Sequence, residues 1–515
     1  MWKSEKVRHR ERRVAALRSV RPLSSPVPSG TNIPSPDAIA DFTAQIEGTV
    51  VLPTDPNYQA ARQVFTHEFQ VFPQLIVYCE VFDDVRHCLK FAQDQGLWAV
   101  TRSGGHSTAG YSISYDMVID LSRMNYVVVD AAAKRAVIGA GATFGHINAV
   151  LNGYQLHMPG GACEDVAIAG YMQGGGYGFT SREYGMNCDN VIDATVMLAD
   201  GSIVLASESV NSDLFWAIRG GTGNNFGVLL QATYRLHELW KIWGFGLLWP
   251  IEDAPAALVE LQNNYMTSGA VDQLGYMVIV TVQQGKNVML MRGTYHGSRD
   301  DGMKALASLL ATKGVELQVD MVDHTYLEVN RYIVDKPFPI PDVPMTVMED
   351  KQSAYVARPL SLDDWKKVMQ RFGESPSPWS WFVIEPYGGA INRKQKGSNA
   401  FIHRDVLMNT FFGLFWRTPD EREPFEQFLD DFMKMYAPYG NGHSYQNYPR
   451  REQKDFAKAY WGDYYWFLVK IKAKYDPDGF FHYQQGVALT NGGAAPPVPP
   501  PLSAPIDGPI VREPY

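Results

Sequence analysis

The sequence predicts an α+β protein of more than one domain. Three observations carry this. Residues 73–121 alternate between short apolar runs and an amphipathic helix pattern, the rhythm of strand–helix–strand units. From 246 to 435 the texture changes to longer helix patterns set between strands. A chain of 515 residues also exceeds what one ordinary core takes, so two or three domains are expected.

Taken in order, residues 1–35 read as a mobile basic arm. They lack the apolar stretch of a secretory signal, and Glu5 and Glu11 argue against a transit peptide. PQLIVYCEV reads as a strand. DDVRHCLKFAQDQG reads as a helix with Val85, Cys88, Leu89, Phe91 and Ala92 on one side and Gly96 as its stop. WAVTRSGG is a strand running into a loop, and DMVIDLS is a further strand. YVVVDAAAKRAVIGAGA reads as a hairpin turning near Ala131–Lys134. TFGHINAVLNGY reads as a short helix with Thr143 as its N-cap. Asp200-Gly201 turns the hairpin within DNVIDATVMLADGSIVLAS. Between 246 and 435, helices over APAALVELQNNYMTSG, DDGMKALASLLATKG and SLDDWKKVMQRFG alternate with strands, which predicts a mainly antiparallel sheet covered by helices. Residues 436–490 follow, and 491–515 form a proline-rich, extended tail.

Composition excludes several classes. There are 46 basic and 55 acidic residues, a net charge of −9, which argues against a general nucleic-acid binder. No apolar run approaches the roughly 18 residues of a membrane span. With no secretory signal and no span, a cytoplasmic location is favoured. Four cysteines are too few for a disulfide framework. Cys79, Cys88 and Cys188 read as buried thiols. Cys163 stands among glycines, where a core thiol is not expected. Neither GAGATFG nor GGTGNNFG completes G-x-G-x-x-G, and no P-loop, G-x-S-x-G elbow or metal-ligand spacing occurs.

What remains is a different anion cradle. In Arg102-Ser103-Gly104-Gly105-His106-Ser107 successive N–H groups can turn toward one point, a nest that holds phosphate. A second glycine belt runs through Gly160–Gly161 and Gly174–Gly178, and a third through Gly220–Gly223. One large, elongated cofactor threaded between the belts would explain all three.

RSGGHS, then CEDVAIAGYMQGGGYGFTSREYGMNCDNV, DLFWAIRGGTGNNFGV, YQNYPR and IKAKYDPDGFFHYQQGV together resemble the berberine-bridge-enzyme-like branch of the vanillyl-alcohol-oxidase, PCMH-type flavoproteins. The likeness covers roughly residues 60–490. It implies a two-part FAD-binding domain from 40–245 and 436–490, with a substrate domain over 246–435. It implies FAD joined through a ring nitrogen of His106 to the 8α-methyl and through the sulfur of Cys163 to C6. Cofactor contacts are expected from Arg102, Ser103, Gly104, Gly105, Ser107, Gly161, Val166, Gly170, Gly174, Gly175, Tyr177, Gly178, Gly227, Val228 and Asn447.

The resemblance also implies a reaction. Val166 is the small residue that, in plant members, leaves room for oxygen, which favours an oxidase. Tyr445, in the Y-x-N-Y unit, is the expected base, with Tyr387 as its partner. A free tyrosine titrates near about 10 and needs help to accept a proton. Trp381, His403, Arg404 and Trp416 are the substrate candidates. The expected activity is oxidation of an alcohol or carbohydrate hydroxyl by hydride transfer to flavin N5, with O2 reduced to H2O2. Two alternatives stay open: a flavin dehydrogenase or tailoring, cyclising oxidoreductase, and a flavin-binding scaffold without turnover. Members often carry an acid after Y-x-N-Y, where this chain has Pro449-Arg450.

Overall fold

A computed structural model describes residues 32–66, 68–335, 348–490 and 508–513. The arm up to residue 31 and the tail residues 491–507 and 514–515 lie outside the described residues. The first sheet contains β1 (Thr49–Val51), β2 (Leu75–Tyr78), β3 (Ala99–Arg102) and β4 (Met117–Asp120), in the order β1-β2-β4-β3. β4 lies parallel to both β2 and β3. The crossover helix α1 (Phe82–Gln95) buries Val85, Cys88, Leu89, Phe91 and Ala92 and ends at Gly96, whose φ of +62° is the left-handed stop that the sequence predicts.

A second, antiparallel sheet holds β5 (Val127–Asp130), β6 (Arg135–Gly139), β8 (Val191–Met197), β9 (Ile203–Ser207) and β10 (Val228–Arg235), while the short β7 (Leu156–His157) pairs with β11 (His237–Glu238). Helix α2 (Phe144–Asn152) starts after Thr143, but the Thr143 side chain makes no capping hydrogen bond. Helix α3 (Ile168–Gln173) lies between the two glycine clusters of the second belt.

The third sheet has seven strands, all antiparallel: β12 (Lys241–Pro250), β13 (Leu274–Gln283), β14 (Lys286–Tyr295), β15 (Glu316–Thr325), β16 (Met348–Val356), β17 (Trp381–Pro386) and β18 (Met408–Trp416). Their order is β15-β12-β14-β13-β17-β18-β16. The sheet begins at Lys241 rather than at 246. Helices α4 (Ala254–Asn264), α5 (Leu362–Gly373) and α6 (Arg422–Tyr436) cover one face and share a core with Phe382, Ile384, Phe412 and Leu414. The helix expected over 300–314 is two shorter ones, Arg299–Ala305 and Ala307–Leu310, divided at Leu306. The C-terminal segment returns to the first core, where α7 (Tyr465–Tyr475) packs with the first two sheets.

Candidate active site

The site is built where β3 runs into its loop. Arg102 closes the strand with its guanidinium turned inward, Nε 2.5 Å from Asp120 Oδ2 and Nη2 donating to the Ala61 carbonyl at 2.7 Å. Its side chain therefore anchors the loop root. Ser103 Oγ donates to the Ala140 carbonyl at 2.6 Å. Ser107 Oγ accepts the Tyr111 N–H at 3.1 Å. A side chain at Gly104 would come within 2.7 Å of Ala167 N, so this loop lies hard against residues 165–167. Among the described residues, none accepts a hydrogen bond from the N–H groups of Ser103 to Thr108.

His106 is half-buried. Phe65 stacks on its ring at 4.5 Å, and its Nε2 lies 3.1 Å from Asp165 Oδ2. Cys163, two residues before Asp165, is exposed, unlike the three buried thiols. Val166 is half-buried; its N–H donates to the Cys163 carbonyl and its carbonyl accepts from Phe144 N. Gly161 lies against Phe144 and Tyr171. Gly170 on α3 is exposed and faces open space. The loop of His106 thus lies against the segment that follows Cys163.

Beyond α3 the chain turns through Gly174 and Gly175, the latter against the Phe401 ring. The Gly176 N–H donates to Tyr445 Oη at 2.8 Å, and Asn447 Nδ2 donates to the same oxygen at 3.0 Å. Tyr445 is almost fully buried, and burial, then the nearby Glu385, raises its hydroxyl well above the usual tyrosine range. Tyr177 donates to the Pro386 carbonyl at 3.0 Å and stacks on Tyr387. Gly178 packs onto the Gly160 carbonyl.

The opposing wall is the face of the seven-stranded sheet turned away from its helices. On β17, Phe382 and Ile384 enter the helix-side core, so Trp381, Val383 and Glu385 point the other way. Ile279, Val383 and Phe411 form an apolar patch there, with Met277, Trp381 and Tyr448 packed on it. Beside the patch sits a carboxylate the sequence reading did not single out. Glu385 accepts from Asn409 Nδ2 at 2.8 Å and from the Tyr448 hydroxyl at 2.5 Å. Burial pushes its carboxyl up to about 7, although both hydrogen bonds and Lys351 act against this. Lys351 Nζ lies 5.0 Å from the Tyr448 ring centroid.

Several expected roles do not hold. Tyr387 is fully buried, and its hydroxyl partner is Tyr355, at 3.0 Å, not Tyr445. His403 lies beneath that pair, stacked on Tyr355 at 4.0 Å and hydrogen-bonded to Gln446, with burial lowering its pKa well below the usual histidine range. Arg404 is buried in a two-pronged pair with Asp189, at 2.7 and 2.8 Å, and so is not a substrate group. Trp416 faces the helix-side core instead of the cleft. Arg450 pairs with Asp350 and Asp430, tying β16 and α6 to the closing segment. In the third belt, Gly220 packs on the Phe401 backbone and its carbonyl accepts from Gln446 and Trp461. Gly227 fits against Met197, and Val228 is a core residue opening β10. That belt is filled by protein.

An FAD binding domain family model matches residues 73–207, the span that carries His106 and Cys163, and a berberine and berberine-like model matches 444–488, the span that carries Tyr445. These matches make the chain an FAD-linked oxidoreductase similar to the berberine-bridge-enzyme-like proteins. It is similar to the uncharacterized FAD-linked oxidoreductase YvdP of Bacillus subtilis (strain 168), 29% identical over 86% of this chain and 99% of YvdP. Among solved structures, Physcomitrella patens BBE-like 1 is 25% identical, with a TM-score of 0.80 over 88% of this chain and 99% of that one. The xylooligosaccharide oxidase from Myceliophthora thermophila C1, solved with xylobiose, shares the fold at 24% identity and a TM-score of 0.78, over 87% of this chain and 99% of its own. The residues of this berberine-bridge-enzyme-like chain fit an FAD. Among the described residues none accepts from the N–H groups of residues 103–108, Gly170 faces open space, and the same loops carry an imidazole and an exposed thiol. Among the described residues no helix is long and apolar enough to cross a membrane, and no cluster suits a metal ion.

Proposed function

We propose that this enzyme is an oxidase that carries FAD on two covalent tethers, His106 and Cys163. It oxidises the CH–OH group of an alcohol and passes the electrons to dioxygen, forming hydrogen peroxide. The observation that supports the reading is the contact of His106 with Asp165, two residues after the exposed Cys163, which sets the two loops side by side. FAD, when bound, supplies the acceptor for a hydride.

The chain does the rest. The loop N–H groups hold the anionic part of the cofactor. Tyr445, ionised to the phenolate, takes up the substrate hydroxyl proton at Oη. Its two donors, Gly176 N–H and Asn447 Nδ2, favour negative charge on that oxygen, against the cost of burial. Glu385, with its carboxyl at about 7, exchanges a proton near neutrality, and Tyr448 connects it to the cleft. Val166 leaves dioxygen its approach.

A carbohydrate hydroxyl is the leading substrate class, supported by the shared fold of the xylooligosaccharide oxidase. The apolar patch of Ile279, Val383 and Phe411 favours a second reading, an alcohol on an apolar scaffold, because sugar hydroxyls laid on it would lose hydrogen bonds. Anaerobic mixing with saccharides, polyols and aromatic alcohols tests both. One class is expected to bleach the flavin, and Tyr445→Phe to slow bleaching roughly 10²–10⁴-fold. No bleaching by any alcohol would contradict the proposal.

A further inference from the structure

We propose that Asp165 is the positioning residue that prepares His106 as a tether, by holding the Nε2–H of its ring so that Nδ1 makes the bond to the flavin. This rests on the two-tether reading and names the group that readies the imidazole for it. Asp165 Oδ2 lies 3.1 Å from His106 Nε2, and Phe65 stacks on the same ring, tilted 25°, which fixes its plane. Among the described residues, Nδ1 has no hydrogen-bond partner.

A neutral imidazole has one N–H and one lone pair. A carboxylate oxygen only accepts, so contact at Nε2 places the N–H there and leaves the lone pair on Nδ1. The hydrogen bond from His106 also holds the Asp165 carboxyl below its usual range, so it is ionised at neutral pH. The backbone is fixed as well, since the tight fit at Gly104 sets its loop against the Asp165 carbonyl. Asp165 follows Cys163 by two positions, so one short segment serves both tethers.

In the tethering step a C–H bond of the 8α-methyl breaks and its proton leaves. The Nδ1 lone pair forms the new C–N bond, and the ring becomes cationic. The Asp165 carboxylate faces that charge at Nε2, and the Nε2 proton is then released. The electron pair of the broken C–H bond remains on the flavin until dioxygen removes it. The two protons released and the two electrons together make hydrogen peroxide.

Mass spectrometry of peptides from purified holoenzyme tests this. In Asp165→Ala the flavin-bearing fraction of the His106 peptide is expected to fall about tenfold, while that of the Cys163 peptide stays unchanged. Asp165→Glu is expected to restore the His106 fraction. An unchanged His106 fraction in Asp165→Ala would overturn the proposal. So would equal loss from both peptides, which assigns Asp165 to the loop as a whole, or failure of Asp165→Glu to rescue. A wild-type His106 peptide without flavin would instead refute the two-tether reading beneath it.

Discussion

In the proposed mechanism Glu385 sets the pH behaviour of the site. Burial raises its carboxyl from 4.5 to about 7. As a proton acceptor it works in the ionised form, so flavin reduction by substrate should rise with pH through about 7 and then level off. Stability runs the other way. The folded chain binds this proton more tightly than the unfolded chain, so the stabilisation is full below 4.5 and is lost as pH rises through about 7. Glu385→Gln should slow anaerobic flavin reduction roughly 10²–10⁴-fold and flatten the limb near neutrality. It should also reduce the pH dependence of unfolding over that window. A retained limb would assign the titration to another group. Tyr445 was legible in the sequence because Y-x-N-Y stands out. Glu385 was not, since one acid in WFVIEPYGG has no partner in sequence. Its meaning appears only when β17 shows which of its alternate residues enter the helix-side core.

At the scale of elements, turns and periods were readable and facing was not. Gly96, Asp200-Gly201 and the amphipathic face of α1 follow from local chemistry. β18, MNTFFGLFW, is buried at every position, because helices cover one face and the flavin domain the other. A strand apolar on both faces does not reveal which parity meets the cleft. Trp416 therefore looked like a substrate residue and is a core residue, whereas Trp381 on β17 does lie on the cleft side. The turn after α3 shows how an element serves the chemistry. A side chain at Gly174 would stand 1.9 Å from Asn447 Oδ1, and Asn447 Nδ2 donates to both Tyr171 and Tyr445. Gly174→Ala should push Asn447 off the Tyr445 oxygen and slow flavin reduction roughly 10²-fold. Stopped-flow reduction at the wild-type rate would show that the amide is not needed there.

At the scale of the molecule, the closing segment ties the two parts together. It brings Tyr445 and Tyr448 from one end of the chain to loops formed near the other. Buried polar contacts fix this return: Arg450 pairs with Asp350, and Lys472 donates to the Asn225 carbonyl, while Arg404 with Asp189 ties the sheet domain to the first part of the chain. Val511 exchanges both backbone bonds with the Asn211 side chain, so the described part of the tail lies along the body. These long-range pairings left no local signature, although the order of motifs implied the return. In the proposed reading, all of it serves to place one flavin between a loop pair and a sheet. Acid precipitation of the holoenzyme tests that most directly. The protein pellet should stay yellow in the wild type, in His106→Ala and in Cys163→Ala, and lose its colour only when both are changed. A colourless pellet from active wild-type enzyme, with all FAD in the supernatant, would contradict the account.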